Sequence, residues 1–515
     1  MAEEKKSRLY ALKPIIERWP AVSKPEVHVN FRSKMFWTVL CLILYFILTN
    51  VMIYGVSGQV LDMFASYRAI MAGASGSIMH LGIGPIVTAS IILQLFVGAK
   101  IVKLDLTKKE DKAIYQGTQK VLVIAMIFIE AVPQVYGYLS PSEGLTAMVG
   151  GRGIADLIII LQLAMGAYLV FMMDELISKW GIGSGISMFI AAGVSQSIFT
   201  GLFNWLPGQG SQPMSVSNPP AGTIPGTYYL ASQMNLGEMV DGGFQILFIG
   251  HGGFQNAIVP LLGTIAIFLI VTFTESSRIE LPLAHAKVRG ARGRYPIRLI
   301  YASNIPVILM SALLANVNMF ALLFYTHPGL QGLPGIGHQW WIGAYDTTGG
   351  STMPYAGGAW YLSNLNGVNS WLMPIISGGY GGHAPWQFAA KALIYLSIMI
   401  FGSVLFAKFW IETTNMGPTD VAKQIQKSGM VMPGFRRDPR VLGRVLERYI
   451  PVVTVIGGAA VGALAACADA VGTIGNASGT GVLLTVGIMI QMYEQIAKEQ
   501  AMEMHPILRG FFGAE

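Results

Sequence analysis

Charge is scarce in this chain: Asp, Glu, Lys and Arg make up 12% of its 515 residues, against about 25% in ordinary soluble domains. With 53% of its residues apolar, it cannot cover itself with polar surface, so lipid must form part of its solvent. Only two cysteines are present, Cys41 and Cys467, too few for a disulfide framework. The eight histidines are scattered, and no HExxH or Cys/His cluster offers a metal site. No Gly-Lys pair occurs, which excludes a P-loop. The glycine-rich run Gly181-Ile182-Gly183-Ser184-Gly185 joins two apolar stretches rather than a strand and a helix. As a dinucleotide site it fails. No cofactor, metal or enzymatic activity is expected. The first 34 residues carry eight basic residues and no long apolar core, so no cleavable signal peptide is expected either.

What the chain has in quantity is long apolar runs. Ten stretches lie at about 36–56, 78–99, 119–139, 154–174, 186–206, 257–275, 299–325, 388–411, 450–468 and 480–498. Each is long enough to cross a hydrocarbon core of about 30 Å as a helix rising about 1.5 Å per residue. With residues 1–35 inside and every stretch crossing, 31 of the 34 Lys and Arg fall on the cytosolic side. The exceptions are Arg68, Arg152 and Lys391. Basic residues resist translocation, so this asymmetry predicts ten spans with both termini cytosolic. The pI near 9.2 follows from the same bias. Residues 9–22, with Leu9, Leu12, Ile15, Ile16, Trp19 and Val22, predict an amphipathic helix on the cytosolic interface.

The loops divide by composition. Residues 207–256 and 326–387 fall outside, contain no Lys or Arg and are rich in turn residues; they predict ordered caps. The inner loops 276–298 and 412–449 hold thirteen basic residues between them, more than topology requires. Such a surplus suits a polyanion such as ribosomal RNA or anionic lipid headgroups. Between the first two spans, 57–77 is half apolar, contains Asp62 and Arg68, and ends in Gly73 and Gly76. A short helix on glycine hinges fits, either at the outer interface or in a cavity between helices. Glu130 is the one ionisable group that stands out inside a span; it must face protein or water, since an acidic group at a span centre costs about 2.5–3.5 kcal/mol. An ion-coupled carrier, the alternative reading, would show several such groups around a midplane site. An intramembrane enzyme would need a catalytic dyad, and none is visible.

Four stretches narrow the reading: Leu81-Gly82-Ile83-Gly84-Pro85-Ile86-Val87-Thr88 in span two, Gly181–Ser187 opening span five, Tyr301-Ala302-Ser303-Asn304-Ile305-Pro306 in span seven, and Gly479-Thr480-Gly481-Val482-Leu483-Leu484 opening span ten. In content and order they closely resemble the SecY family, the alpha subunit of the Sec protein-conducting channel, in its archaeal form. The resemblance covers about residues 20–500. It implies an all-α polytopic membrane protein, with an N-terminal half at 36–206, an external hinge region at 207–256, a C-terminal half at 257–498 and a cytosolic tail at 499–515. An apolar pore ring is implied at Ile83, Val87, Ile186, Ile190, Ile308 and Leu484. A plug is implied over 57–77, including Leu61, Asp62, Met63, Phe64, Arg68 and Ile70, which favours the cavity for that segment. Spans two and three should face seven and eight across a lateral gate whose polar cluster matches Thr88, Glu130 and Asn304. Ribosome-docking loops are implied around Arg278, Lys287, Arg289, Arg292, Arg294, Arg436, Arg437 and Arg440. Implied partners are the small SecE (gamma) and beta subunits, the ribosome, nascent polypeptides with their signal sequences, and lipid. The implied location is the plasma membrane.

Overall fold

A computed structural model describes residues 8–504 apart from 28, 57–71, 100, 103, 105–107, 138, 209–212, 217, 236, 238, 240–242, 251–255, 286–291, 299–303, 327–338, 346–353, 415, 428–429, 432–438 and 476. The long helices among the described residues follow the ten apolar stretches. They are α1 (Phe31–Asn50), α2 (Gly84–Gly98), α3 (Lys109–Gly137), α4 (Arg152–Trp180), α5 (Gly185–Phe203), α6 (Ile258–Ser276), α7 (Ile305–Thr326), α8 (Pro385–Thr413), α9 (Pro439–Val471) and α10 (Gly479–Met504). Eight are long and apolar enough to cross a membrane by themselves. α2 is shorter, and α10 turns polar beyond Gln491.

Boundaries shift where local chemistry requires it. Span two is expected from residue 78, but helix begins only at Gly84, with Pro85 in its first turn. Proline fits there because its missing N–H has no helical partner in any case. Before it, Gly82 takes a positive φ of 55°, a conformation that favours glycine. The irregular backbone at 72–83 is largely buried, and its polar groups are paired locally: Gly76 N–H donates to His80 Nδ1 at 3.0 Å, and Tyr45 donates to the Ala72 carbonyl at 3.0 Å. Protein on all sides is what permits non-helical chain at membrane depth. α3 and α9 begin about ten residues earlier than their apolar cores, as polar N-terminal extensions.

The first five helices meet the last five along two seams. On one, α2 and α3 pack against α7 and α8; on the other, α1 and α5 pack against α10. Small residues permit these approaches. A Cβ at Gly402 of α8 would lie 2.2 Å from Met310 Sδ of α7, and one at Gly98 of α2 would lie 2.6 Å from Phe409 Cδ1 of α8. α8 and α9 are in the closest register: Gly458 and Gly462, four apart, let α9 lie on the α8 backbone near Met399 and Ser403. Such spacing suits helices that associate in lipid, where packing replaces the hydrophobic effect as the driving force.

The polar loops are ordered as follows. Between α7 and α8, short helices at Gly358–Leu362 and Leu372–Ile376 pack on α8, and Ala344–Tyr345 pairs with Pro354–Ala356. In the basic loops, β1 (Arg278–His285) and β2 (Arg292–Arg298) form an antiparallel ribbon, extended by β3 (Met430–Val431) in the order β2-β1-β3. Both basic loops therefore share one sheet, a junction that the sequence did not reveal. In the N-terminal segment a 3-10 helix at Arg8–Leu12 runs into an α-helix at Lys13–Arg18, which docks on α3 with Ile16 over Gly117, where a Cβ would fall 2.3 Å from Ile16 Cγ2. Tyr10 donates to Asp111, and that carboxylate pushes the phenol up to about 12. Val22 N–H donates to Glu175 Oε2 at 3.4 Å. Lys179, which pairs with Glu175 at 2.7 Å, also donates to the Val22 carbonyl.

Gly166 of α4 tests the packing most sharply, since a Cβ there would fall 1.9 Å from the Ile78 carbonyl oxygen. Gly166→Ala should cost about 1–3 kcal/mol by overpacking, read as a lower thermal midpoint of the purified protein. An unchanged midpoint would mean that the 72–83 turn does not seat against α4.

Candidate functional site

Five of the six aliphatic positions singled out above are almost fully buried. Ile83, Ile190 and Leu484 are 0% exposed, Val87 is 5% and Ile308 8%. Ile186 is partly buried and packs against the same cluster. They come from the start of α2, the first turns of α5 and α10, and the first turn of α7. Elements from both sets of five helices thus converge on one aliphatic core, and these side chains bring no hydrogen-bonding group to it. A constriction built this way offers a passing chain no polar hold and, when empty, disfavours water and ions.

Beside this core lies a polar relay that crosses the α2/α3–α7 seam. Thr88 of α2 donates to Glu130 Oε1 of α3 at 2.7 Å and accepts from Asn316 Nδ2 of α7 at 2.9 Å. All three are buried. Asn304 does not take part. Its amide donates to Glu275 Oε1 at 2.9 Å, tying the end of α6 to the start of α7. The reason is axial position. Asn304 stands at the start of α7 and Asn316 twelve residues later, about 18 Å along the helix axis, level with Glu130. The cluster is therefore Thr88–Glu130–Asn316. Gly487 of α10 lies against Asn304, where a Cβ would fall 1.8 Å from its Nδ2.

Sequence reading also missed several buried ionisable groups. Asp469 near the end of α9 accepts from Thr480 N at 3.0 Å, Thr480 Oγ1 at 2.8 Å and Tyr395 at 2.8 Å. Asp174 of α4 accepts from Ile186 N at 2.8 Å. Lys391, noted only as a topological exception, sits 4.9 Å from the Trp360 ring centroid, and Trp360 stacks on His383 at 4.1 Å. A cation over an indole face is partly compensated for its lost hydration. Each of these groups lies near the end of a span, where composition alone reads as loop. Among the described residues no group of three or more His, Cys, Asp and Glu could hold a metal ion.

Arg278, Arg292 and Arg294 fall on the β1–β2 ribbon, and Arg440 falls at the start of α9. The register pairs Arg278 with Arg298, Pro282 with Arg294 and Ala284 with Arg292. Lys287, Arg289, Arg436 and Arg437 lie outside the described residues, as do the positions from Leu61 to Ile70 and Asn476.

The chain is thus a helical, multi-pass membrane protein with a buried aliphatic core shared by both sets of helices and a polar relay beside it. Comparison with known proteins specifies its family. The family model described as SecY matches residues 77–493, and one described as the plug domain of Sec61p matches 43–76. This chain belongs to the SecY family. It is 46% identical over 515 residues to the protein translocase subunit SecY of Archaeoglobus fulgidus, covering 99% of each chain. To that of Methanothermobacter thermautotrophicus it is 43% identical, covering 97% of this chain and 98% of the relative. Among solved structures, a protein-conducting channel superposes with a TM-score of 0.74 at 37% identity, covering 96% of this chain and 98% of that one. Sec61 in the canine ribosome–channel complex gives 0.72 at 36% identity over the same shares. The chain is a pore-forming subunit of a protein-conducting channel, and the carrier alternative falls away.

The revised cluster makes a quantitative prediction. In a double-mutant cycle on thermal unfolding, Thr88→Val with Asn316→Ala should show a coupling of about 0.5–3 kcal/mol, whereas Thr88→Val with Asn304→Ala should be additive within about 0.5 kcal/mol. The reverse pattern would restore Asn304 to the cluster.

Proposed function

We propose that this chain conducts unfolded polypeptides through the aliphatic ring formed by Ile83, Val87, Ile186, Ile190, Ile308 and Leu484, and releases apolar segments sideways through the α2/α3–α7/α8 seam. The convergence of these side chains from α2, α5, α7 and α10 on one buried core carries the reading. A substrate that presents every kind of side chain needs a passage without fixed partners, and aliphatic side chains can change rotamer around it. Selectivity then falls to the seam. A signal sequence has an apolar core of about 7–15 residues, which can exchange contacts with α2, α7 and lipid. Breaking the Thr88–Glu130–Asn316 relay sets part of the cost of opening. The segment 57–77, which overlaps the match to the plug domain over residues 43–76, closes the outer funnel at rest.

The drive comes from outside the chain. The sheet that joins both basic loops supports a docked ribosome as its source, with Arg278, Arg292 and Arg294 on the ribbon and Lys287, Arg289, Arg436, Arg437 and Arg440 nearby in sequence, facing ribosomal RNA. The small SecE and beta subunits complete the complex. An apolar groove between α5, α6 and α10, lined by Phe199, Ile265, Phe268, Leu269 and Met489, supports a single-span partner seated there. Both termini lie in the cytosol and the chain in the plasma membrane, an orientation that the basic residues on alternate loops support. The two sets of five helices act as halves, 36–206 and 257–498, hinged through 207–256.

Two measurements test this reading. Replacing Ile83, Val87, Ile186 and Ile190 together with serine should raise the resting ion conductance of reconstituted channels at least tenfold; wild-type conductance would remove the ring from the account. Arg436→Glu with Arg437→Glu should weaken ribosome binding at least tenfold at low salt, with a smaller loss at high salt. Unaltered affinity would leave that loop a purely topological role.

A further inference from the structure

The last helix of each set of five begins in the same way. α5 starts at Gly185 and α10 at Gly479. In each case an aspartate on the preceding helix accepts a hydrogen bond from a backbone N–H in the new helix's first turn. Asp174 Oδ1 accepts from Ile186 N at 2.8 Å. Asp469 Oδ1 accepts from Thr480 N at 3.0 Å, and its Oδ2 accepts from Thr480 Oγ1 at 2.8 Å. The glycines make the approach possible: a Cβ at Gly185 would lie 2.6 Å from Asp174 Cα, and one at Gly479 would lie 2.2 Å from the Ala468 carbonyl carbon. Aspartate and glycine are eleven residues apart in the first case and ten in the second.

From these paired contacts we propose that Asp174 and Asp469 are positioning residues that fix the axial register and rotation of α5 and α10, and so hold Ile190 and Leu484 in the pore constriction. The proposal rests on the reading of the aliphatic ring given above. Ile190 and Leu484 each stand five residues beyond the glycine, about 140° around the helix from it. The glycine face is held against the helix that carries the aspartate, so the ring side chain is turned away from that helix into the shared core. Both side chains are 0% exposed there. Aliphatic packing alone fixes rotation poorly, because one branched side chain substitutes for another at little cost. A carboxylate that accepts a backbone N–H at the helix start fixes it sharply, and at low dielectric that donor cannot be left bare.

The neighbouring caps do not supply this constraint equally. Ser184, which precedes α5, makes no side-chain cap bond, so Asp174 acts there without a local cap. At α10, Ser478 Oγ accepts from Gly481 N at 3.0 Å. Asp469 adds a tie to α8 through Tyr395, 2.8 Å from Oδ2. Loss of the carboxylate should therefore release α5 more than α10.

The test is the resting ion conductance of the purified channel complex in planar bilayers, with thermal stability recorded in parallel. Asp174→Ala should raise conductance at least fivefold and Asp469→Ala at least twofold. Asp174→Asn and Asp469→Asn keep an oxygen acceptor and should stay within twofold of wild type. Alanine variants that lose stability yet seal like wild type would reduce the aspartates to structural supports and overturn the proposal. If the serine-substituted ring itself fails to leak, the ring reading falls; if that ring leaks and the alanine variants seal, the positioning role alone falls. Should the alanine variants fail to assemble, Gly185→Ala and Gly479→Ala displace the same helix starts with the carboxylates in place. Sealed channels from those variants would equally overturn the proposal.

Discussion

The structure depends on buried aliphatic packing between two sets of five helices. Ile83, Val87 and Ile190 from the first set and Ile308 and Leu484 from the second belong to one buried cluster. Contacts of this kind are individually weak and have no direction. They are strong in sum, yet no single one is costly to break. A polar constriction would reverse both properties. Its hydrogen bonds would hold water, ions and the passing chain, and each would resist separation at low dielectric.

Directional bonds are kept to the helix contacts around that cluster. Thr88–Glu130–Asn316 spans the seam, Glu275–Asn304 joins the end of α6 to the start of α7, and Asp174 and Asp469 anchor the starts of α5 and α10. Each ties one helix to another. Gly185 and Gly479 bring backbones close enough for the two aspartate ties to form. In a membrane, where helix association gains little from burying apolar area, such local bonds and close packing decide which helices stay together.

The long helices and their order were legible because each needs a long apolar run and because basic residues mark alternate loops. Legibility failed where the signal is tertiary. Helix α2 begins at Gly84 rather than 78, since protein on all sides allows Gly76 and His80 to pair off-helix. Asn304 and Asn316 are alike in sequence as asparagines on one apolar span, and only axial depth shows which one meets Thr88. Glu275, Asp174 and Asp469 lie within a few residues of span ends, where a charge is unremarkable until its partner on another helix is known. The N-terminal segment is amphipathic in sequence, but its seat over Gly117 of α3 depends on a close approach that no local pattern reveals.

Site-specific photocrosslinking of a stalled secretory chain tests the central claim most directly. With a photoreactive residue placed in turn at Ile190, Leu484 and Phe268, the nascent chain should crosslink strongly at the first two and not at Phe268, which lines the groove between α5, α6 and α10. Strong crosslinks at Phe268 with none at Ile190 or Leu484 would contradict passage through the aliphatic waist.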